Sequence, residues 1–474
     1  MSGLFGSLNA SVKALTAQSR ALEITGKNLA NVNNISYARQ RVIFGDRGTV
    51  VTPDGAESLG IEALRVEQLR DSLLDGQVMR EISLKTALEA EQGGYQRAQA
   101  GLGQNISSTT STGATSTTGD NGIAAAIDDF FNAFGSLAAS PTDVGERQSL
   151  LQKASILSDR FQLADQRLMQ VQTDLGAQIS TDVDDVNRLL ATVADLNGQI
   201  GRIEVNTPGS AVDLRDQRQA RLEELAAKMS IEVADTGDGQ VQVSARDASG
   251  ANVLLVDRTA VLGSVAFTGT QITAGASATP IALGGGSIKG SLHARDGAVQ
   301  DLLNSLDQLA RQLVTSVNQA YNPNAASAST GNFFDPAGTT AATFSLAATV
   351  TAANLKASDG GPAGDNTVAL AISRLAIRSF STAAGDAIDG TVGGCFSNVV
   401  SRLGQALAST NSSSADQANI ERLVRGQRDA TSGVSLDEEM ADLTKYQRAY
   451  QASARVFSIV DQLLDLVVNS LGRG

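Results

Sequence analysis

Residues 435–471 read SLDEEMADLTKYQRAYQASARVFSIVDQLLDLVVNSL, and their spacing decides the fold. Leu443, Tyr446, Tyr450, Ser453, Phe457, Val460, Leu464, Val467 and Leu471 alternate at three and four residues, a heptad seam in which only Ser453 is clearly polar. Ser435 and Glu438 form an S-x-x-E capping box: Ser435 caps the helix and Glu438 reaches back to its first amide, so one helix is predicted over about 436–471. The other end carries a second seam, Leu8, Leu15, Leu22 and Leu29, with Leu4, Val12 and Val32 on the same side. Burying four leucines contributes about 8 kcal/mol. Ordering a helix of that length costs about 1 kcal/mol per residue or more, so neither end is stable alone and each is the other's expected partner. The stripes fit both an internal helix pair that closes one domain and a surface that also packs against neighbouring subunits.

Working inward, the chain reads as mainly α. A turn-rich stretch, 44–60, precedes a periodic helical segment over about 61–100, with Leu64, Leu69, Leu73 and Leu74 among its apolar positions. Residues 107–122, SSTTSTGATSTTGDNG, contain no core-forming side chain and read as a flexible exposed loop. Helix resumes at 123, and Ser140, Pro141 and Asp143 mark the start of the next one, which runs to about 204. The period then changes: IEVADTGDGQVQV, 231–243, alternates around a turn and opens a small β insert that lasts to about 286. Helix returns over 287–321, then at about 366–380 and 397–430, with one strand expected near 344–348. The expected organisation has three parts: 1–60 with 436–474 as a terminal coiled-coil domain, 61–230 with 287–435 as a helical bundle, and 231–286 as the β insert.

The composition excludes several functions. At 37 basic against 50 acidic residues the net charge is −13, which repels nucleic acid and anionic membranes. No apolar run reaches membrane-spanning length, and the first thirty residues lack a secretory signal pattern. Cys395 has no partner for a disulfide and reads as a small buried apolar residue, and His293, the single histidine, as a surface or helix-start residue. GGGSIKG, 284–290, lacks the spacing of a phosphate-binding loop and reads as a hinge between β insert and helix. Acid pairs such as Asp128-Asp129 and Glu438-Glu439 read as helix N-terminal charge. An enzyme, for instance a glycan hydrolase with carboxyls about 5 to 10 Å apart, has no candidate pair here. No catalytic, cofactor-binding or metal-ligating residue is therefore expected.

One segment is too unusual for packing to explain: NLANVNNISYARQRV, residues 28–42. Its four closely spaced asparagines compete for backbone hydrogen bonds and must end the first helix in a specific turn. It resembles the N-terminal signature of the flagellar rod, hook and hook-associated axial proteins, matched at Asn28, Leu29, Ala30, Asn31 and Tyr37. The pair Arg39-Gln40 resembles the hook-associated branch in particular. Asn34 and Ser36 depart from the family, which often has Thr and Gly there, so a left-handed backbone at 36 is less comfortable and the turn differs in detail. Residues 432–471 resemble the C-terminal segment of the same family, and DLRDQRQARLEELA, 213–226, resembles an internal helix of the hook-associated branch.

The resemblance implies a structural subunit of the bacterial flagellum at the junction of hook and filament; a hook or distal-rod subunit is the alternative, and a cytoplasmic coiled-coil scaffold fits the Asn-rich turn poorly. It implies export through the flagellar type III route without a cleaved signal, an extracellular place on the flagellum, and an export chaperone on the C-terminal helix. It also implies self-assembly into a helical layer between the hook protein and a second hook-associated protein. The interface residues it points to are Leu8, Leu15, Leu22 and Leu29 with Leu443, Tyr450, Phe457, Val460, Leu464, Val467 and Leu471.

Overall fold

The computed structural model describes residues 2–46, 48–52, 55–58, 60–103, 122–324, 326, 330–362 and 364–471. In chain order, α1 (Ser2–Ala30) leads to β1 (Gln40–Asp46), β2 (Thr49–Thr52), β3 (Gly55–Ser58) and β4 (Ile61–Gln68). Four helices follow: α2 (Ser72–Gly101), α3 (Ile123–Ala139), the 61-residue α4 (Val144–Glu204), and α5 (Val212–Lys228). Then come β5 (Glu232–Asp235), β6 (Val241–Arg246), β7 (Asn252–Asp257), β8 (Ala260–Val261), β9 (Ala266–Phe267), β10 (Ile272–Ala274) and β11 (Thr279–Pro280). The chain closes with α6 (Ser287–His293), a π-helical turn (Ala294–Val299), α7 (Gln300–Tyr321), α8 (Thr367–Ser373), α9 (Val392–Ser432) and α10 (Leu436–Leu471). No helix among the described residues is long and apolar enough to cross a membrane.

Two compact units divide the chain, one made of residues 1–85, 183–286 and 417–474, the other of 86–182 and 287–416. In the first, α1 packs along α10 and against the hairpin β1–β4. The hairpin is antiparallel, with Val42 opposite Val66 and a bulge between Ile43 and Phe44. Its apolar side closes a small core: Ala21, Ile24 and Val42 are buried, with Phe44, Ala63, Val66 and Tyr446 packed around them. The same unit holds the antiparallel meander β5-β6-β7-β8 and the three-stranded sheet β11-β10-β9. Two asparagines of α4 fasten these strands by imitating a peptide group. Asn197 donates to Val241 O at 2.9 Å and Arg258 O at 2.7 Å, and Asn187 exchanges two bonds with the backbone of Val265.

The second unit is a bundle around an aromatic core. Phe130 and Phe134 of α3 meet Phe333, and Phe334 stacks within 4.7 Å of Phe344, which also touches Phe161 of α4. These rings pin the Ala- and Ser-rich connection after α7 into the bundle, and Asn318 exchanges two 3.0 Å bonds with the backbone of Phe334. Where α6 crosses α2, only glycine fits. A Cβ on Gly290 would lie 2.0 Å from Ala87 O, and one on Gly94 would lie 2.3 Å from Ala294 Cβ.

The C-terminal helix has the bounds its heptads predict, but other elements differ. Residues 61–68 are strand, not helix, and 40–46 pair with them; Leu64 faces outward at 59% exposure. The helix after Pro141 starts at Val144, three residues later than Ser140 implied, because Asp143 Oδ1 takes the Gly145 N–H at 2.7 Å. Ser140 ends α3 instead. α9 begins at Val392, and the strand expected near 344–348 is a single bridge between Phe334 and Leu346. Glu438 does not serve the capping box: it accepts from Arg39 Nη1. Ser36 is not left-handed, since Arg258 and Ala278 are the only non-glycine residues at positive φ among those described. The Ser/Thr-rich loop, apart from Gly122, lies outside the described residues.

Candidate assembly site

The Asn-rich signature folds inward. α1 ends as the Asn31 N–H bonds to Lys27 O and Asn28 O, and the chain turns through Asn34 and Tyr37 into β1. Asn28, 1% exposed, satisfies every hydrogen-bonding position of its amide. Its Oδ1 accepts from the Gln40 N–H at 3.1 Å and from the Tyr37 hydroxyl at 2.9 Å. Its Nδ2 donates to Gln40 O at 2.8 Å and to Glu439 Oε2 at 3.0 Å. Asparagine is the residue type that both pairs with a strand's backbone like a neighbouring strand and keeps a second N–H for a carboxylate.

Arg39 completes the grip on α10. Its N–H bonds to Ser432 O and its carbonyl accepts from Leu69, both at 2.8 Å, which fixes the backbone from which the guanidinium reaches out. Nε donates to Glu439 Oε1 at 2.7 Å, Nη1 donates to Glu438, and Nη2 lies 3.5 Å from Asp442. Burial acts to lower the pKa of Arg39, but Glu439 and Glu438 together outweigh it and hold it above the ordinary arginine value. Glu439 is 2% exposed, so the helix-dipole reading of Glu438-Glu439 is incomplete: Glu439 is a buried bridge between Asn28 and Arg39.

A second layer comes from α5, α2 and α9. Gln40 Nε2 donates to Asp213 at 3.0 Å, and Asp216 accepts from the Ala38 N–H at 3.2 Å and from Arg70 at 2.6 Å. Arg70 also holds Asp75 at 2.9 Å and Ser36 O at 3.1 Å. Arg428 of α9 donates to Ile35 O at 2.7 Å and to Glu223 at 2.6 Å. Burial pushes the Asp216 carboxyl up to about 6 against the pull of Arg70, and Asp75 rises for the same reason. Burial, then Asp216, Asp213 and Glu439, push the Tyr37 hydroxyl above its ordinary value. The arrangement ties residues 28–40, 213–223 and 428–442 into one buried polar clamp.

Of the residues singled out in the sequence, Asn28, Tyr37, Arg39 and Gln40 meet in this clamp, and Leu29, Ala30 and Asn31 form the helix end beside it. Leu8, Leu15, Leu22 and Leu29 are half-buried; the buried side of α1 runs instead through Ala17, Ala21, Ile24 and Asn28. On α10, Val460 is buried, Leu443, Phe457, Leu464 and Val467 are half-buried, Tyr450 is exposed, and the Leu471 side chain lies outside those described. A second row, Val456, Ile459, Leu463 and Leu466, repeats the three-four spacing on the uncovered face, with Leu466 67% exposed. His293 is exposed beside Glu91 at 2.9 Å, and burial raises the pKa of the half-buried Cys395 thiol. Among the described residues no group of three His, Cys, Asp or Glu could hold a metal ion. Arg70, Asp75 and Arg428 carried no local signal, Glu439 was read only as helix-end charge, and Asp216 lay within the quoted 213–226 helix, whose charged face is unusual for a helix that buries Leu222 and Leu225.

The sequence is similar to known flagellar proteins. Residues 426–471 match the family described as Flagellar basal body rod FlgEFG protein C-terminal, and residues 112–334 the one described as Flagellar hook-associated protein FlgK helical domain. The chain is 26% identical to the flagellar hook-associated protein 1 of Bacillus subtilis, over 100% of both chains. To that of Escherichia coli it is 23% identical, over 98% of this chain and 99% of the relative. The solved structure of the flagellar hook junction protein FlgK from Burkholderia pseudomallei is similar at 20% identity and a TM-score of 0.43, over 52% of this chain and 43% of that one. With both ends paired in one helical layer and a rod-type C-terminal segment, this is a structural protein of the flagellar axis. Over its full length the chain is similar to flagellar hook-associated protein 1.

Proposed function

We propose that this protein forms the junction between the flagellar hook and filament and is needed for the filament to assemble on the hook. The observation that carries the reading is the pairing of α1 with α10, which covers one apolar row of α10 and leaves Val456, Ile459, Leu463 and Leu466 to be covered by something else. A solvent-facing row of this kind is costly on a lone chain and suits a subunit whose neighbours complete the layer. The paired terminal helices then form the inner layer of the assembly. The hook protein lies on one side, a second hook-associated protein on the other, and an export chaperone covers α10 before export without a cleaved signal. The terminal leucines and the α10 seam act at subunit contacts, and the chain works by assembly rather than catalysis. Deletion of the gene in its native host tests the role. Intact hooks without filaments, with flagellin lost to the medium, are expected; missing hooks or normal filaments would refute it.

A further inference from the structure

A cleft of about 890 Å³ opens in the first unit between the start of α2, α5 and the strands β5 and β6. Five arginines line it against three carboxylates. Arg215 and Arg246 are neutralised by Glu204 and Glu232. Arg70 is shared by Asp75 and Asp216, yet its buried Nε has no hydrogen-bond partner among the described residues. Arg218, 7% exposed, has no carboxylate within ion-pair distance among the described residues: its Nη1 donates to Asn197 Oδ1 and Gly239 O, both at 2.8 Å. A cation so buried is costly without a paired carboxylate, and burial, then Arg215, lowers its pKa to about 10 against the longer-range pull of Asp235 and Glu204. Arg80 stands exposed at the rim with no ion pair among the described residues, and the floor is apolar, with Met79, Leu222 and Ile231. Spare guanidinium donors over an apolar floor fit a segment whose carboxylate sits beside apolar side chains.

The chain itself presents such a segment. At the start of α10, Leu436 and Met440 lie one turn apart, 54% and 53% exposed, with the exposed Asp437 beside them. The neighbouring Glu438 and Glu439 are engaged by Arg39 and leave this face free. We propose that the cleft receives the Leu436–Met440 turn of a second copy, with Asp437 of that copy against Arg80 and Arg218 and its two apolar side chains on the floor. The contact joins two different surfaces and so propagates from copy to copy, which rests on the assembly role proposed above and gives it a register.

Full-length proteins in a Cys395→Ala background test this. One carries Leu84→Cys, at the cleft wall, and a size-tagged second carries Met440→Cys; the mixture is oxidised and heterodimers are weighed on a denaturing gel. A heterodimer is expected, about tenfold more abundant than with Ile377→Cys as the second site. Arg80→Glu on the first protein should lower the yield about tenfold, and Asp437→Arg on the second should restore it. No heterodimer, an equal yield at the control site, or failure of the charge swap overturns the contact. Thermal melts of the Arg80→Glu protein confirm its folding, and Arg80→Gln should give a smaller fall in the same direction. The deletion phenotype is independent: hooks without filaments would persist even if this contact were wrong.

Discussion

Replacing Asn28 by alanine removes four hydrogen bonds at once from a residue 1% exposed. Their losses are unequal. The Tyr37 hydroxyl is half-buried and turns to water, and Glu439 keeps Arg39. The N–H and C=O of Gln40 are sealed and have no substitute, and each unpaired group costs about 1 to 2 kcal/mol. Alanine returns about 0.5 kcal/mol in helix propensity, so the net loss is about 3 kcal/mol. Hydrogen exchange by mass spectrometry on the full chain reads this locally, since one global transition is not expected of two units. Protection over 38–46 and 436–446 should fall about 150-fold, while α7 is unchanged. A fall below about threefold, or an equal fall in α7, would refute the clamp as what holds these segments together.

Other changes separate buried from exposed partners. Glu439→Ala strands Arg39 and Asn28 and should destabilise by about 3 kcal/mol, whereas Glu438→Ala, at an exposed site, should cost less than about 1 kcal/mol in the same exchange measurement. Because the folded state raises the Asp216 pKa to about 6, its contribution is full below about pH 4 and is lost as pH rises through 6, a change of about 3 kcal/mol. Thermal melts of Asp216→Asn against the parent should therefore converge or cross between pH 4 and 7, and parallel curves would refute the shift. Gly290→Ala should cost about 3 kcal/mol by forcing α6 off Ala87, while Gly93→Ala in α2, with nothing within 4 Å, should gain about 0.5 to 1 kcal/mol; melting curves of the pair decide.

The sequence made some of this legible and hid the rest for physical reasons. The bounds of α10 follow from a long heptad run, and the end of α1 from asparagines that no helix interior favours. The β1–β4 hairpin was hidden because Leu64, Leu69 and Leu73 mimic helical spacing; the strand's real partner is Val42, and its outward Arg65 and Glu67 blur the alternation. The signature residues were picked out as odd, but what they bind was not visible. Asn28 and Glu439 are 411 positions apart, and Ala38 and Asp216 are 178 apart, so no local pattern links them. The leucine heptad of α1 drew attention away from Ala17, Ala21 and Ile24, the residues that the helix actually buries beside its asparagine.

The separation of Asn28 from Glu439 also sets a timetable. Closing a flexible loop of 411 residues costs about 5 kcal/mol of chain entropy, more than the clamp's central bonds return. The intervening bundle and sheets shorten that loop only after they have themselves folded. A chain delivered N-terminus first, as every ribosome delivers it, therefore carries its signature turn unmated until the last helix emerges, and α1 is made first but settles last.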